Sequence, residues 1–465
     1  MTLIGLDVGT SGVKGVAISA DGELLASASE GYPLSTPQPG WAEQDPEDWW
    51  RAAQAVLARL PAGEIGFSGQ MHGLVVLDDD RALLRPAILW NDQRTALQCA
   101  EIEERVGFER LIALTGNRAL PGFTAPKLLW LREHESETYS RIRHVLLPKD
   151  YVRYRMTGEQ AIDFADASGT LLFDVAKRRW SAEVCEALEI PMAWLPQAFE
   201  STEIAGAGDQ AAAALGIGIV QPGLVSVVLG TSGVVFAVLP AYAPDEQARV
   251  HVFCHAAPGT WHAMGVMLSA AGSLSWLRGV LGADYGTLDD EAARWKPGVE
   301  GLQYAPYLAG ERTPHADPDA RGAFTGLSLR HDRGALARAT LEGVAYGLRD
   351  SLELLRQLGV RPQAGRLSGG GSRSELWSAI VASVLGIPLE RTESEEGSAF
   401  GAALLAGVRS GEFASVDEAV SRCVRVRDRV EPDSAWVDAY ERGYQRYGLL
   451  YPALRPLQER PQGSA

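Results

Sequence analysis

Two aspartates in this chain stand where small residues leave room for an anionic ligand. Asp7 closes the apolar run of LDVGTSGVKG, ahead of a Gly/Thr/Ser turn and Lys14. Small turn residues let backbone N–H groups approach phosphate oxygens, and Mg²⁺ prefers one or two carboxylates plus substrate phosphates. The segment is neither a Walker A loop, which needs GxxxxGK[ST], nor a dinucleotide-binding GxGxxG turn. Asp209 is the lone carboxylate in GAGDQAAAALG (206–216). It has two open readings: the cap of the helix that follows, or a base that takes a proton from a hydroxyl as its oxygen attacks phosphorus. Lys14 is likewise open, as a solvated edge charge or a phosphate contact.

Three further segments carry suitable groups. GTSGV recurs at 230–234, again after an apolar run, which makes Thr231 the counterpart of Thr10. LSGGGSRSELWSAIVASVLG (367–386) runs from a strand through three glycines into a helix, an arrangement that suits a nucleotide or equally well tight packing. SGQMHGL (68–74) offers Gln70, Met71 and His72 between glycines, and LWNDQR adds Trp90, Asp92 and Arg94. Donor-rich loops at strand ends suit a polyhydroxylated ligand. For Asp92 and Arg94, an ion pair that buttresses the fold is an equal alternative.

The elements that must position these groups follow from patterning. Both GTSGV segments read as strand, tight turn, strand, so the chain predicts two related halves with a seam near 216–223. A helix is expected over 46–60, with Asp45 as cap and Pro46 in its first turn, and another over 336–358. The final residues lack apolar periodicity and predict a loose tail.

Composition bounds the function. At 465 residues and 46% apolar the chain is long enough for two cores. A net charge of −16 excludes a broad basic nucleic-acid-binding face, so phosphate must be held by local devices. Four scattered cysteines without metal-like spacing predict a reducing compartment. With neither a signal-like start nor an apolar span of membrane length, the expected location is the cytoplasm, without membrane partners.

Taken in order, LDVGTSGVKG, SGQMHG, WNDQR, GAGDQAAAALG, LGTSGVVF, ERTPHADPDARGAFTGL and LSGGGSRSELWSAIVASVLG resemble the FGGY carbohydrate kinases across roughly residues 2–410. The resemblance implies an α/β fold of two actin-like, ribonuclease-H-like domains around a cleft. Residues 1–218 would hold the sugar, the first phosphate turn and the base, residues 219–452 the second turn and the adenosine segment, and residues 453–465 the tail. It implies Asp209 and Asp7 as catalytic and Mg²⁺-associated residues. Met71, His72, Trp90, Asp209 and Gln210 would contact sugar, and Thr10, Ser11, Lys14, Thr231, Gly370 and Gly371 would contact ATP. The implied reaction is ATP-dependent phosphorylation of the 5-hydroxyl of D-xylulose, because SGQMHG differs from the loop of the glycerol-specific branch. Ribulose, gluconate or glycerol as substrate, or an actin-like ATPase, are the alternatives, and a homodimer is compatible with all of them. Two departures stand out: Gln210 where the family usually has Asn, and Glu375 where an amide is usual.

Overall fold

The computed structural model describes residues 1–394 and 396–458. Near the N-terminus, β1 (Thr2–Val8), β2 (Gly12–Ser19), β3 (Leu24–Gly31), β4 (Glu64–Gly69) and β5 (Gly206–Gly208) form one sheet in the order β5-β4-β1-β2-β3. A second sheet contains β6 (Leu224–Leu229), β7 (Gly233–Leu239), β8 (His251–Cys254), β9 (Trp261–Met267), β10 (Ala364–Ser368), β11 (Leu389–Thr392) and β12 (Val426–Val430). Its order is β8-β9-β7-β6-β10-β11-β12.

The two sheets share a topology. β1 runs antiparallel to β2 and parallel to β4, and β6 relates in the same way to β7 and β10. The five strands β11-β10-β6-β7-β9 therefore repeat β5-β4-β1-β2-β3, with β8 and β12 added at the edges. The GTSGV repeat marks this duplicated strand–turn–strand, and both halves are α/β units of the actin-like kind. Leu3, Ile4, Leu6 and Val8 are all buried, as expected of an interior strand covered on both faces.

Helices carry the remaining positions: α1 (Pro46–Leu57), α2 (Asp209–Gly216), α3 (Arg333–Gln357), α4 (Glu375–Leu385), α5 (Gly397–Arg409) and α6 (Leu450–Gln458). Asp45 caps α1 through the Glu47 N–H at 2.9 Å, and Asp332 caps α3 through the Ala335 N–H at 3.0 Å. The expected helix over 46–60 thus ends three residues early, and that over 336–358 begins three residues early.

Helix α5 lies by sequence within 219–452 yet packs on the N-terminal sheet. A Cβ on Gly5 would lie 1.7 Å from the Ala399 carbonyl oxygen, and one on Gly66 2.0 Å from that of Ala402. On the other face, a Cβ on Gly401 would lie 1.9 Å from the Ala212 carbonyl oxygen in α2. Backbone-to-backbone approach this close requires glycine, and it brings the start of α5 to the end of β1.

The loose tail expected over 453–465 is corrected for residues 453–458, which belong to α6. Tyr451 stacks on His315 at 3.6 Å, and the Gln458 amide donates to the Arg321 carbonyl at 2.8 Å. These long-range contacts hold a turn that no local periodicity announces. Residues 459–465 lie outside the described residues.

Candidate active site

Asp7 is the penultimate residue of β1, and Asp209 follows β5; both strands flank β4, with Asp7 and Ala207 each opposite Ser68. The parallel registers deliver the two carboxylates to the same sheet end. Gly208 occupies the N-cap of α2 and Asp209 its first turn, so the capping reading of Asp209 does not hold. Burial, reinforced by the nearby Asp7 charge, pushes the Asp209 carboxyl up to about 7, against a lowering hydrogen bond from Gln210. Gln210 Nε2 donates to Asp209 Oδ1 at 3.3 Å. A carboxyl poised near neutrality is what a general base needs.

Burial also raises the Asp7 pKa, opposed first by the hydrogen bond from Ser398. Ser398 Oγ, from the first turn of α5, donates to Asp7 Oδ2 at 2.7 Å. Asp7 Oδ1 is buried without a hydrogen-bond partner.

Met71 packs beside Gly208, the residue before Asp209, and His72 follows it in the same loop. Gly208 leaves room for Met71, whose Cγ would lie 2.9 Å from a Cβ there. The His72 ring hydrogen-bonds through Nδ1 to the Gly169 carbonyl at 2.6 Å and packs on Phe123 at 4.6 Å. Burial, with the Lys127 charge adding to it, lowers the His72 pKa to about 3. The imidazole is therefore neutral, with Nδ1 the donor and Nε2 left as the acceptor. His72 has φ +68°, and its carbonyl is pinned by Lys127 Nζ at 2.8 Å and Thr124 Oγ1 at 3.1 Å.

Trp90 is 42% exposed. Its Nε1 donates to Thr10 Oγ1 at 2.9 Å, which joins the expected sugar loop to the first phosphate turn. Asp92 and Arg94 resolve to the buttressing reading. The carboxylate accepts from the Ala42 N–H at 2.7 Å and from Arg94, whose guanidinium stacks 3.6 Å over Trp41.

In the second half, a cavity of about 350 Å³ opens between the C-terminal sheet, the length of α2 from Gln210 to its C-cap Ile217, and the start of α5. Gln210, Ser368, Gly369, Gly370, Arg373 and Arg391 are among its walls. Gly370 meets this space; Gly371 instead is buried, where a Cβ would lie 2.9 Å from that of Leu229 and 3.0 Å from Trp377. Glu375, the departure from an amide, pairs with Arg391 at 2.8 Å. Thr231 anchors the second turn through its carbonyl, which accepts from the Ala270 N–H at 2.9 Å. Thr10 and Ser11 form the first turn, closed by the Gly9 N–H to Gly12 carbonyl bond at 3.1 Å. Lys14, opposite Asp7 in the β1/β2 register, is ion-paired with Glu396.

Two like sheets, each with a GTSG turn, a carboxylate pair at the end of one and a glycine-walled cavity beside the other form a two-substrate phosphoryl-transfer arrangement. The FGGY carbohydrate-kinase profiles match accordingly, the N-terminal domain over residues 2–239 and the C-terminal domain over 225–410. The chain belongs to the FGGY family of carbohydrate kinases. Similarity to individual FGGY kinases runs along the whole chain. It is 42% identical to the xylulose kinase of Escherichia coli, covering 98% of this chain and 99% of that one. The crystal structure of xylulose kinase from Rhodospirillum rubrum superposes with a TM-score of 0.92 at 33% identity, over 99% and 100% of the two chains. That of gluconate kinase from Lactobacillus acidophilus gives 0.93 at 26%, over 98% and 99%.

As an FGGY kinase, the protein has residues that fit a divalent cation. The orphaned Asp7 Oδ1 and the neighbouring Asp209 carboxylate, with phosphate oxygens, make the hard-oxygen donor set Mg²⁺ prefers. Ser398, Lys127 and Arg391 had not been expected in this FGGY site. Ser398 lies 391 residues from its partner, and nothing local in the sequence signals the pairing.

Proposed function

We propose that this protein transfers the γ-phosphoryl group of ATP to the 5-hydroxyl of D-xylulose. The observation that carries the reading is the neutral-range Asp209 carboxyl, set between the Met71–His72 loop and the cavity wall at Gln210. Asp209 accepts the hydroxyl proton as the oxygen attacks in line. Neutral His72 accepts a sugar hydroxyl at Nε2, and Met71 and Trp90 wall the carbon skeleton. The Thr10–Ser11 and Thr231 turns present backbone N–H groups to the phosphates, and Gly370 leaves space for the adenosine. Mg²⁺, when held at Asp7 and Asp209, supplies charge neutralisation for the transferring phosphoryl.

In this reading residues 1–218 carry the sugar side and 219–452 the nucleotide side, with α5 as the piece that joins them. Four buried, unpaired cysteines support a reducing compartment, the cytoplasm, and no described helix is long and apolar enough to cross a membrane. The likeness to a gluconate kinase structure supports one second reading, with an acid sugar as acceptor. A coupled ADP-release assay over pentuloses, hexuloses, gluconate and glycerol decides: D-xylulose should have the highest kcat/KM. A higher value for gluconate would replace the substrate assignment.

A further inference from the structure

The first phosphate turn is braced by two buried side-chain amides that the transfer chemistry does not use. Gln44 and Gln70 are 2% and 1% exposed. Gln44 Nε2 donates to the Thr10 carbonyl at 2.7 Å, and Gln70 Nε2 to that of Gly9 at 3.4 Å. The amides are also locked to each other. Gln44 Oε1 accepts from Gln70 Nε2 at 3.1 Å and from Trp49 Nε1 at 3.0 Å. Flipping either amide would set its oxygen against a backbone carbonyl, so both orientations are fixed.

The consequence falls on the Thr10 hydroxyl, which has one proton to give. It donates that proton to Gln70 Oε1 at 3.3 Å and accepts from Trp90 Nε1 at 2.9 Å. Gln70 precedes Met71 and His72 in one loop, and the exposed Trp90 ring is another expected sugar contact. Thr10 is thus a phosphate-turn residue whose side chain is held between Trp90, an expected sugar contact, and Gln70, the buried neighbour of Met71.

We infer that the Trp90–Thr10–Gln70 chain is an energetic link between the sugar and nucleotide sites, with Trp90 and Gln70 acting on the phosphate turn as positioning residues. A sugar seated against the indole and the Gln70–His72 loop selects one setting of the Thr10 hydroxyl. The same setting orients the turn's N–H groups toward the γ-phosphate. The coupling is reciprocal, so a bound nucleotide must tighten the sugar by the same factor. This inference rests on the proposed sugar and ATP sites.

Calorimetry measures the link as the ratio of sugar dissociation constants without and with saturating Mg²⁺ and the β,γ-imido analogue of ATP. In the wild-type protein the ratio should be roughly fivefold or more, the usual range for coupled sites. Trp90→Phe keeps the ring and removes the N–H, and should bring the ratio below about twofold whatever the absolute sugar affinity. Thr10→Val should do the same, Thr10→Ser should restore coupling, and the double variant Trp90→Phe/Thr10→Val should lose no more than either alone. A merely structural indole would shift both dissociation constants and leave their ratio intact, which overturns the inference. An uncoupled wild-type protein, or additive losses in the double variant, also overturns it. If the ADP-release panel selects another sugar over D-xylulose, the ratio is measured with that sugar, so failure of the substrate assignment and failure of the link are separately visible.

Discussion

Gln210 Nε2 donates to Asp209 Oδ1 at 3.3 Å while the same side chain walls the cavity beside Gly370. One residue thus touches both the expected base and the expected nucleotide space. The bond stabilises the charged carboxylate and so holds down a pKa that burial and Asp7 raise. Replacing Gln210 by Ala should move the acidic limb of the kcat/KM profile to higher pH. A limb that stays in place or moves to lower pH would show that the amide does not act on the base.

As the proposed base, Asp209 should govern the acidic limb of activity and add to the pH dependence of stability. Activity should fall with a one-proton slope as pH drops through about 7, because the base is then protonated. Asp209→Asn should lower kcat by roughly 10²–10⁴ and leave nucleotide affinity nearly intact. The stability effect has the opposite sign. A carboxyl with a raised folded-state pKa binds more protons in the folded than in the unfolded chain between about 4 and 7, so its burial destabilises the protein increasingly across that window. Thermal melts at pH 8 should therefore show a higher Tm for Asp209→Asn than for wild type, and the gap should close near pH 4. Equal Tm values at pH 8 would contradict a strained, buried carboxylate.

Ser398 joins the second half to the end of β1 by its 2.7 Å bond to Asp7. A hydrogen bond to a charged group contributes about 1.5–3 kcal/mol. Ser398→Ala should raise the Mg²⁺ concentration needed for half-maximal rate, as the freed Asp7 carboxylate becomes more easily protonated and less well oriented. The Tm should fall as well, because the substitution leaves a buried carboxylate oxygen without its donor, so the Mg²⁺ dependence is measured well below the variant's melting range. An unchanged Mg²⁺ dependence would place Asp7 away from the ion.

The legible part of this molecule was what repeats or stays local. GTSGV, read twice, foretold two sheets, and their matching strand order is the structural form of that identity. Asp7 and Asp209 stood in short segments whose small neighbours left room for a ligand, and Gln210 was singled out by the family resemblance. Contacts that fold together from distant segments were not legible. Ser398 meets Asp7 only because α5 crosses to the first sheet, and Gln44 comes from a two-residue strand without pattern. Asp92 and Arg94 illustrate a second limit: a buttress and a ligand-binding pair use the same residue types, and the Ala42 N–H bond to Asp92 and the stacking of Arg94 on Trp41 separate them. Lys14 was read without its partner, since nothing around it in sequence pointed to Glu396.

The adjacent glycines Gly370 and Gly371 differ in what a side chain would meet. A Cβ on Gly370 meets no atom within 4 Å and would project into open space at the cavity wall. A Cβ on Gly371 would press on Leu229 and Trp377, and that indole is anchored by donating to the Leu341 carbonyl at 3.1 Å. Gly370→Ala should therefore fold with an unaltered Tm and raise KM for ATP several-fold without changing KM for the sugar. Gly371→Ala should destabilise by about 1–3 kcal/mol, the usual cost of overpacking, with ATP affinity recovered at low temperature where the fold is intact. Melting curves and initial rates on the two variants test both claims together. If Gly371→Ala lost ATP affinity at full stability while Gly370→Ala kept it, the second glycine rather than the first would belong to the nucleotide site.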